Sequence, residues 1–121
     1  MLDAARQLID EINALIANGY SRLYYDAQLH AAAESIAANI REGYGRRPGP
    51  ERNQFLRYAR GSAEETDEHL AANFRSNRLE ARTYWRFHNR ILVMIRMLNS
   101  LMQEKETGPS VAEKARKRRS R

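Results

Sequence analysis

The chain of 121 residues carries a formal net charge of +6 and contains no cysteine. This length predicts one domain, and the lack of cysteine excludes a disulfide framework and cysteine-based zinc sites. The first residues lack the positive start and continuous apolar run of a secretory signal, and no stretch approaches the roughly 20 apolar residues of a membrane-spanning helix. We therefore expect a cytoplasmic protein with no membrane partner.

Two amphipathic segments open the chain, one before Gly19 and one over about residues 24–42. In both, apolar residues recur every three or four positions, as they do along one face of a helix. The first stripe, broadened by Ile9 and Ile16, is Ala5, Leu8, Ile12 and Leu15, and the second is Leu29, Ala33, Ile36 and Ile40. Glycines after each segment predict the helix ends.

Two longer segments follow, over about residues 51–75 and 80–105. Pro50 suits the start of the third helix, where its missing N–H costs no hydrogen bond. The predicted inward face of that helix is Phe55 or Leu56, Ala59, Ala63, Thr66, Leu70 and Phe74. The fourth helix has a heptad seam typical of helical bundles: Tyr84, Phe87, Ile91, Met94, Leu98 and Leu101. Its second apolar edge, Leu92, Ile95 and Met102, faces a neighbouring subunit or widens the core, and the pattern leaves both open.

Four helices with short connections predict an all-α fold, an antiparallel up-down-up-down four-helix bundle over residues 1–106. The periodicity ends near Gly108-Pro109, which predicts a disordered basic C-terminal tail over residues 107–121. Six cations and no acid occupy the last eight positions, namely Lys114, Arg116, Lys117, Arg118, Arg119 and Arg121. Residues 1–113 keep 15 basic and 15 acidic side chains, so the net charge belongs to the tail.

Arginine supplies nearly all the basic side chains of the helical body. Arg78, Arg82, Arg86 and Arg90 recur every four residues, which predicts a slowly drifting ridge on the fourth helix. Tyr84, Trp85 and His88 interleave with this ridge, a combination that suits single-stranded nucleic acid. Acids of the next helix or subunit would neutralise the same arginines, and the pattern leaves both open. Arg41, Arg46 and Arg47 form a second, weaker basic group between helices two and three.

The tail is the stronger indication of a polyanionic partner. Its cations could neutralise several phosphates of RNA or DNA with salt-dependent affinity that does not depend on sequence. The same charges would also serve docking on an acidic protein, or solubility alone.

No pattern of catalytic residues is present. Di-iron bundles require two Glu-x-x-His pairs, whereas Ala27, Thr66 and Trp85 stand three positions before the three histidines. There is no Gly-x-Ser-x-Gly element, Walker loop or dinucleotide fingerprint. The acidic cluster Glu64, Glu65, Asp67 and Glu68 is interpreted as a solvated face that pairs with arginines. We predict no enzymatic activity, catalytic residue, metal or cofactor.

Two sequence elements carry a family resemblance. Residues 35–46 read Ser-Ile-Ala-Ala-Asn-Ile-Arg-Glu-Gly-Tyr-Gly-Arg, and residues 55–65 read Phe-Leu-Arg-Tyr-Ala-Arg-Gly-Ser-Ala-Glu-Glu. Together they resemble the four-helix bundle family of proteins encoded in 23S ribosomal RNA intervening sequences. The matching positions are Ser35, Asn39, Glu42, Gly43, Gly45, Arg46, Phe55, Leu56, Ala59, Gly61, Ser62 and Glu65. Arg41, where the family often has alanine, and the basic tail depart from the family pattern.

We expect structural duties for these matching residues. Gly61, Ser62 and Ala63 would allow helices two and three to approach closely. Asn39 would form an internal hydrogen bond, and Glu42 would pair with Arg46 across the helix end.

The family is also similar to the accessory variability (Avd) proteins of diversity-generating retroelements, which form pentameric barrels that engage a reverse transcriptase and nucleic acid. The resemblance therefore implies a homo-oligomer, a pentamer, with a non-catalytic role. The resulting hypothesis is an accessory protein that binds RNA or DNA electrostatically beside a reverse transcriptase. The alternative is a protein–protein interaction scaffold of the same family with no direct nucleic-acid role.

Overall fold

The computed structural model describes residues 2–18 and 23–120, with side chains as far as Met102. It contains four helices: α1 (Leu2–Ala17), α2 (Asp26–Tyr44), α3 (Pro50–Arg75) and α4 (Ala81–Ser120). Helix α2 packs against α1 and α3, α3 packs against α4, and α4 closes the bundle with a narrow contact to α1. Because the connections are short, successive helices run antiparallel. The predicted all-α, up-down-up-down bundle is confirmed.

The helix boundaries agree with the sequence pattern at most ends. Pro50 is the first residue of α3, as its missing N–H predicts. Helix α4 continues to Ser120, past the end that the sequence predicts near Lys105. The helix thus extends through residues 107–120 of the segment for which the sequence predicts a disordered tail. The side chains after Met102, including those of the six tail cations, lie outside the described residues.

The predicted stripes form the core. The buried members are Ala5, Leu8, Ile9, Ile12, Leu29, Ala33, Ile36, Ile40, Leu56, Ala59, Ala63, Thr66, Leu70, Tyr84, Phe87, Ile91, Met94 and Leu98. Leu56 is the buried residue of the Phe55/Leu56 pair, while Phe55 is half-buried. At the last turn of the seam Met102 is buried and Leu101 is half-buried. The second apolar edge therefore divides, because Met102 and Ile95 join the core whereas Leu92 remains exposed.

Two asparagines on α3 are buried in the core, which the apolar periodicity did not predict. Asn73 Oδ1 accepts a hydrogen bond from the Tyr24 backbone N–H at 2.6 Å, and Asn73 Nδ2 donates to the Tyr24 carbonyl at 3.2 Å. Asn53 Nδ2 donates to the Met102 carbonyl at 3.1 Å. Each amide thus joins α3 to a neighbouring segment by satisfying buried backbone groups. Asn73 fixes the chain entering α2, and Asn53 fixes the last described turn of α4.

The turn between α3 and α4 sets the direction of the arginine-bearing helix. Asn77 has a left-handed φ of 62°, a conformation that asparagine tolerates better than most residues. The Asn77 N–H donates to the Phe74 carbonyl at 3.1 Å, and the Arg78 N–H donates to the Asn73 carbonyl at 2.8 Å. These two bonds form a Schellman motif, which ends α3 and lets the chain reverse into α4.

A polar network joins α2 to α3 at the positions of the family resemblance. Ser62 Oγ donates to Ser35 Oγ at 2.7 Å, and Asn39 Nδ2 donates to Ser35 Oγ at 2.9 Å. The Asn39 amide also donates to the Ser35 carbonyl at 2.9 Å. The expected internal role of Asn39 is therefore confirmed, and the two serines form a direct link between the helices.

The close approach of α2 and α3 occurs at Gly43 and not at Gly61. A Cβ on Gly43 would lie 3.2 Å from Leu56 Cδ2 and 3.3 Å from the Arg52 carbonyl oxygen, whereas a Cβ on Gly61 would meet nothing within 4 Å. Gly61 is exposed. The expectation that Gly61 thins the helix contact is wrong, because Gly61 faces solvent, whereas Ser62 beside it bonds to Ser35 of α2 and Ala63 is buried.

Candidate nucleic-acid interface

The outward surface of α4 contains no acidic residue between Ala81 and Met102. The heptad seam turns one face of the helix into the core, so the intervening positions face solvent. Four arginines occupy this stretch, namely Arg82, Arg86, Arg90 and Arg96. A helix with four cations and no acid over this length produces a positive field that its own side chains do not neutralise.

Arg78 and Arg90, at the two ends of the predicted arginine ridge, contact side chains of other segments, whereas the Arg86 guanidinium lies 5.2 Å from the ring centroid of the adjacent Phe87. The Arg78 guanidinium lies 3.8 Å from the Tyr24 ring centroid and donates to the Tyr24 hydroxyl at 2.8 Å. Arg90 Nη1 donates to a Glu11 carboxylate oxygen of α1 at 2.8 Å. Arg82 and Arg86 are exposed, and neither forms an ion pair with an acid in the described part of the chain. These two arginines are therefore the ridge members available to an external anion.

An aromatic cluster lies beside these two arginines. The buried Tyr84 ring stacks on Phe74 of α3, with the centroids 4.8 Å apart and the planes 8° apart. Trp85 meets Tyr84 at 5.0 Å and His88 at 5.2 Å, both edge to face. The three residues that the sequence interleaves with the ridge are thus in mutual contact, and Phe74 joins them from the neighbouring helix.

Asp67 of α3 completes the polar side of this cluster. Its carboxylate oxygen lies 2.8 Å from Nδ1 of His88, and the Tyr84 hydroxyl lies 3.3 Å from the same nitrogen. Burial, and then the negative charge of Asp67, raise the pKa of Tyr84 above its usual value near 10.0. The interpretation of Asp67 as part of a solvated acidic face is wrong, because the Asp67 position on α3 faces α4. Glu64, Glu65 and Glu68 are exposed as predicted.

The second arginine group, at the connection between α2 and α3, is partly neutralised. Arg46 Nη1 donates to Glu42 at 2.8 Å, which confirms the predicted pair, and Arg46 Nε donates to Glu51 at 3.3 Å. The hydrogen bond to Glu42 raises the pKa of Arg46. Arg41 and Arg47 are exposed. The group therefore offers an anion two free guanidinium groups and one that is already paired.

Arg52 of α3 caps the C-terminal end of α2. Arg52 Nε donates to the Gly43 carbonyl at 3.0 Å, and Arg52 Nη2 donates to the carbonyls of Tyr44 and Arg46. These are carbonyls at the end of α2, where no further turn of helix supplies donors. A cation at this end also interacts favourably with the negative pole of the helix dipole. No local signal marks Arg52, because the carbonyls that it caps belong to another helix.

An apolar groove lies between α1 and α4, where the two helices make their narrow contact. It measures about 320 Å³ and is lined by Ala4, Gln7, Leu8, Asn89, Arg90, Val93, Met94 and Met97. Val93 and Met97 are 45% and 40% exposed, and Leu92 beside them is 37% exposed. The α4 surface from Leu92 to Met97 is therefore largely apolar, with Arg96 as its one charged side chain, while the turns before it carry Arg82 and Arg86.

The described residues contain no cluster of three His, Asp or Glu side chains that could hold a metal ion. Within the same part of the chain, no helix has the length and apolar character to cross a bilayer.

A sequence model of the family described as 23S rRNA-intervening sequence protein matches residues 1–100. The chain belongs to this family. The match covers all four helices as far as the last turns of the heptad seam, and it includes both sequence elements of the α2–α3 contact. The basic tail lies beyond the matched residues.

A solved structure shows the same fold. It is a protein of unknown function from the S23 ribosomal protein family of Bacteroides thetaiotaomicron, 22% identical, with a TM-score of 0.78. The alignment covers 84% of this chain and 97% of the other. No curated protein matches the sequence.

Proposed function

We propose that the protein is a non-catalytic, homo-oligomeric accessory factor that binds nucleic acid through its phosphates. The observation that carries the proposal is the surface of α4 between Ala81 and Met102, which has no acid and on which Arg82 and Arg86 are exposed and form no ion pair within the described residues. Arginine presents a planar array of donors that fits phosphate oxygens. Beyond this surface, the six cations of the tail would add phosphate contacts that do not depend on nucleotide sequence.

The apolar stretch of α4 from Leu92 to Met97 supports the oligomeric part of the proposal. Leu92, Val93 and Met97 are exposed around the groove between α1 and α4. A cluster of exposed apolar side chains on a soluble bundle indicates a contact surface. We propose that a second copy of the chain covers it, which leaves the arginine-bearing half open. In a diversity-generating retroelement, such a ring would present nucleic acid to a reverse transcriptase.

Binding to a fluorescein-labelled single-stranded RNA, measured by anisotropy at several salt concentrations, tests the nucleic-acid role. The full chain should bind at about 50 mM salt, where phosphate contacts are strong. The double substitution Arg82→Ala/Arg86→Ala should weaken binding and reduce the slope of log K against log salt by about 1–2. Arg41→Ala/Arg47→Ala removes the same charge from the other end of the bundle, so the difference between the two double variants separates the contribution of the α4 surface from the effect of net charge and of the second arginine group. Absence of binding at low salt would contradict the proposal.

The alternative function is a protein–protein scaffold, which the apolar groove favours. Under this alternative, Val93→Glu would abolish a complex with another protein and would leave the affinity for oligonucleotides unchanged. Light scattering separates the two arrangements, because a self-association surface predicts that Val93→Glu lowers the mass of the purified protein. An unchanged mass would favour the scaffold if the native chain also pulls down one stoichiometric protein after nuclease treatment and Val93→Glu does not.

A further inference from the structure

We infer that Trp85 is a stacking platform for an unpaired base, so that the α4 surface binds single-stranded nucleic acid in preference to duplex. This inference rests on the proposed nucleic-acid role and adds the kind of strand that the surface recognises. Three observations support the inference: the indole is half-exposed, aromatic rings pack against it, and two arginines that form no ion pair with a described acid lie beside it.

Trp85 is more exposed than is usual for a large apolar side chain. The side chain is 49% exposed, although burying a ring of this size would stabilise the fold. It contacts Tyr84, His88 and Phe74 at tilts between 67° and 89°, with centroid distances of 5.0–6.2 Å. The indole therefore rests with part of its surface on the bundle and the remainder in water.

The rings that support Trp85 are themselves fixed. Tyr84 is buried and stacked on Phe74, and His88 is held by the Asp67 carboxylate at 2.8 Å. A side chain packed against fixed neighbours loses little rotamer freedom when a ligand binds. The platform is thus ordered before any base arrives, which favours affinity for a flat, apolar ring.

The charges beside Trp85 favour a nucleotide over an uncharged aromatic ligand. Arg82 lies one helical turn before Trp85, and Arg86 follows it directly. Both are exposed and unpaired within the described residues, so they can contact the phosphates that flank a stacked base. Aromatic stacking combined with cationic contacts is typical of proteins that bind single strands. Bases within a duplex are already stacked on each other and do not offer a free face.

The chain contains one tryptophan, so fluorescence excited at the long-wavelength edge of indole absorption, where tyrosine does not absorb, reports on this ring alone. Addition of oligo(U) or oligo(dT) should quench the emission, whereas a blunt-ended, fully paired duplex of equal length should leave it unchanged. Anisotropy of the labelled oligonucleotides measures binding independently of the quench. Binding of the duplex without quench is expected, because the tail cations and arginines attract phosphates in either form.

Substitutions separate stacking from charge. Trp85→Ala should weaken oligo(U) binding roughly 5- to 150-fold, the range for loss of one stacked base, while Trp85→Phe should retain most of the affinity. Tyr58→Ala is the matched control, because Tyr58 is 50% exposed on α3 and meets Phe55 edge to face at 6.0 Å. Circular dichroism of each variant checks that the helical content is unchanged.

Three outcomes would overturn the inference. Oligonucleotide binding without any quench would show that Trp85 takes no part, and would leave the proposed function intact. Emission that shifts on dilution of the protein alone would place Trp85 in a contact between copies of the chain. Absence of binding by anisotropy at low salt would contradict the proposed function together with the inference.

Discussion

The Asp67 carboxylate of α3 accepts a hydrogen bond from Nδ1–H of His88 on α4 at 2.8 Å, in a site where both side chains are about four-fifths buried. A carboxylate can only accept, so the proton lies on Nδ1 of the imidazole. The pair connects two helices beside the cluster that holds Trp85. It is therefore a structural link whose loss should affect both stability and the aromatic surface.

Removal of the Asp67–His88 bond should destabilise the bundle. His88→Ala and Asp67→Asn should each lower the free energy of unfolding by about 1–3 kcal/mol, since a partly buried bond to a charged group is lost. A double-mutant cycle measured by urea unfolding should give a coupling energy of about 0.5–2 kcal/mol. Glu64→Gln, one turn earlier on α3 and exposed, should change stability little. Additive effects of the two substitutions would contradict a direct interaction.

Tyr84 should make the fold sensitive to alkaline pH. Burial, followed by the charge of Asp67, raises its pKa above the usual value near 10.0, while Arg75 acts in the opposite direction. The folded state therefore keeps the phenol protonated while the unfolded chain ionises. The resulting stability is complete below the unfolded pKa and is lost as pH rises through the folded pKa. Tyr84→Phe should show a shallower fall in unfolding free energy above about pH 10. Equal alkaline slopes for the two proteins would refute this assignment.

Alanine substitutions at two glycines of the family elements should have opposite effects. Gly43→Ala should destabilise the protein by about 1–3 kcal/mol, because the new Cβ would press on the buried Leu56 and on the Arg52 backbone. Gly61→Ala should stabilise by about 0.4–1 kcal/mol, since the site is open and alanine restricts the unfolded chain. Urea unfolding of the two single variants measures both. Destabilisation by Gly61→Ala would indicate a contact that a single copy of the chain does not make.

Asn73 should stabilise the entry into α2. Asn73→Ala leaves the Tyr24 N–H and carbonyl without their partner, and an unpaired buried group costs about 1–3 kcal/mol. Amide hydrogen exchange at Tyr24 should accelerate in this variant. The matched change Asn99→Ala removes an exposed hydrogen bond to Arg60 and should alter stability by less than about 0.5 kcal/mol. Equal effects of the two variants would rule out a special role for Asn73.

The fold was predictable because the spacing of apolar residues along the sequence determines which face of each helix is buried. The stripes of α1, α2 and α4 follow the 3.6-residue period without interruption, and Pro50 marks the start of α3. The absence of acids between Ala81 and Met102 is equally visible in the sequence. The family assignment rests on the two elements of the α2–α3 contact, which the structure joins through Ser35 and Ser62.

The pairing of particular side chains was not predictable. Asp67 stands in a run of acids that resembles a solvated face, and only the packing of α3 on α4 brings it to His88. Arg90 and Arg86 occupy similar positions in the four-residue repeat, yet Glu11 of α1 pairs with the first and leaves the second free. Gly43 and Gly61 have the same local freedom, and only the neighbouring helix distinguishes them.

The sequence by itself determined the helices, their inward faces and the uneven placement of charge, because these depend on periodicity and composition within one segment. The tertiary structure decided which arginines remain free, which polar residues are buried, and where the α4 surface changes from basic to apolar. These depend on distances between residues that are far apart in the chain, and such distances exist only after the helices have packed.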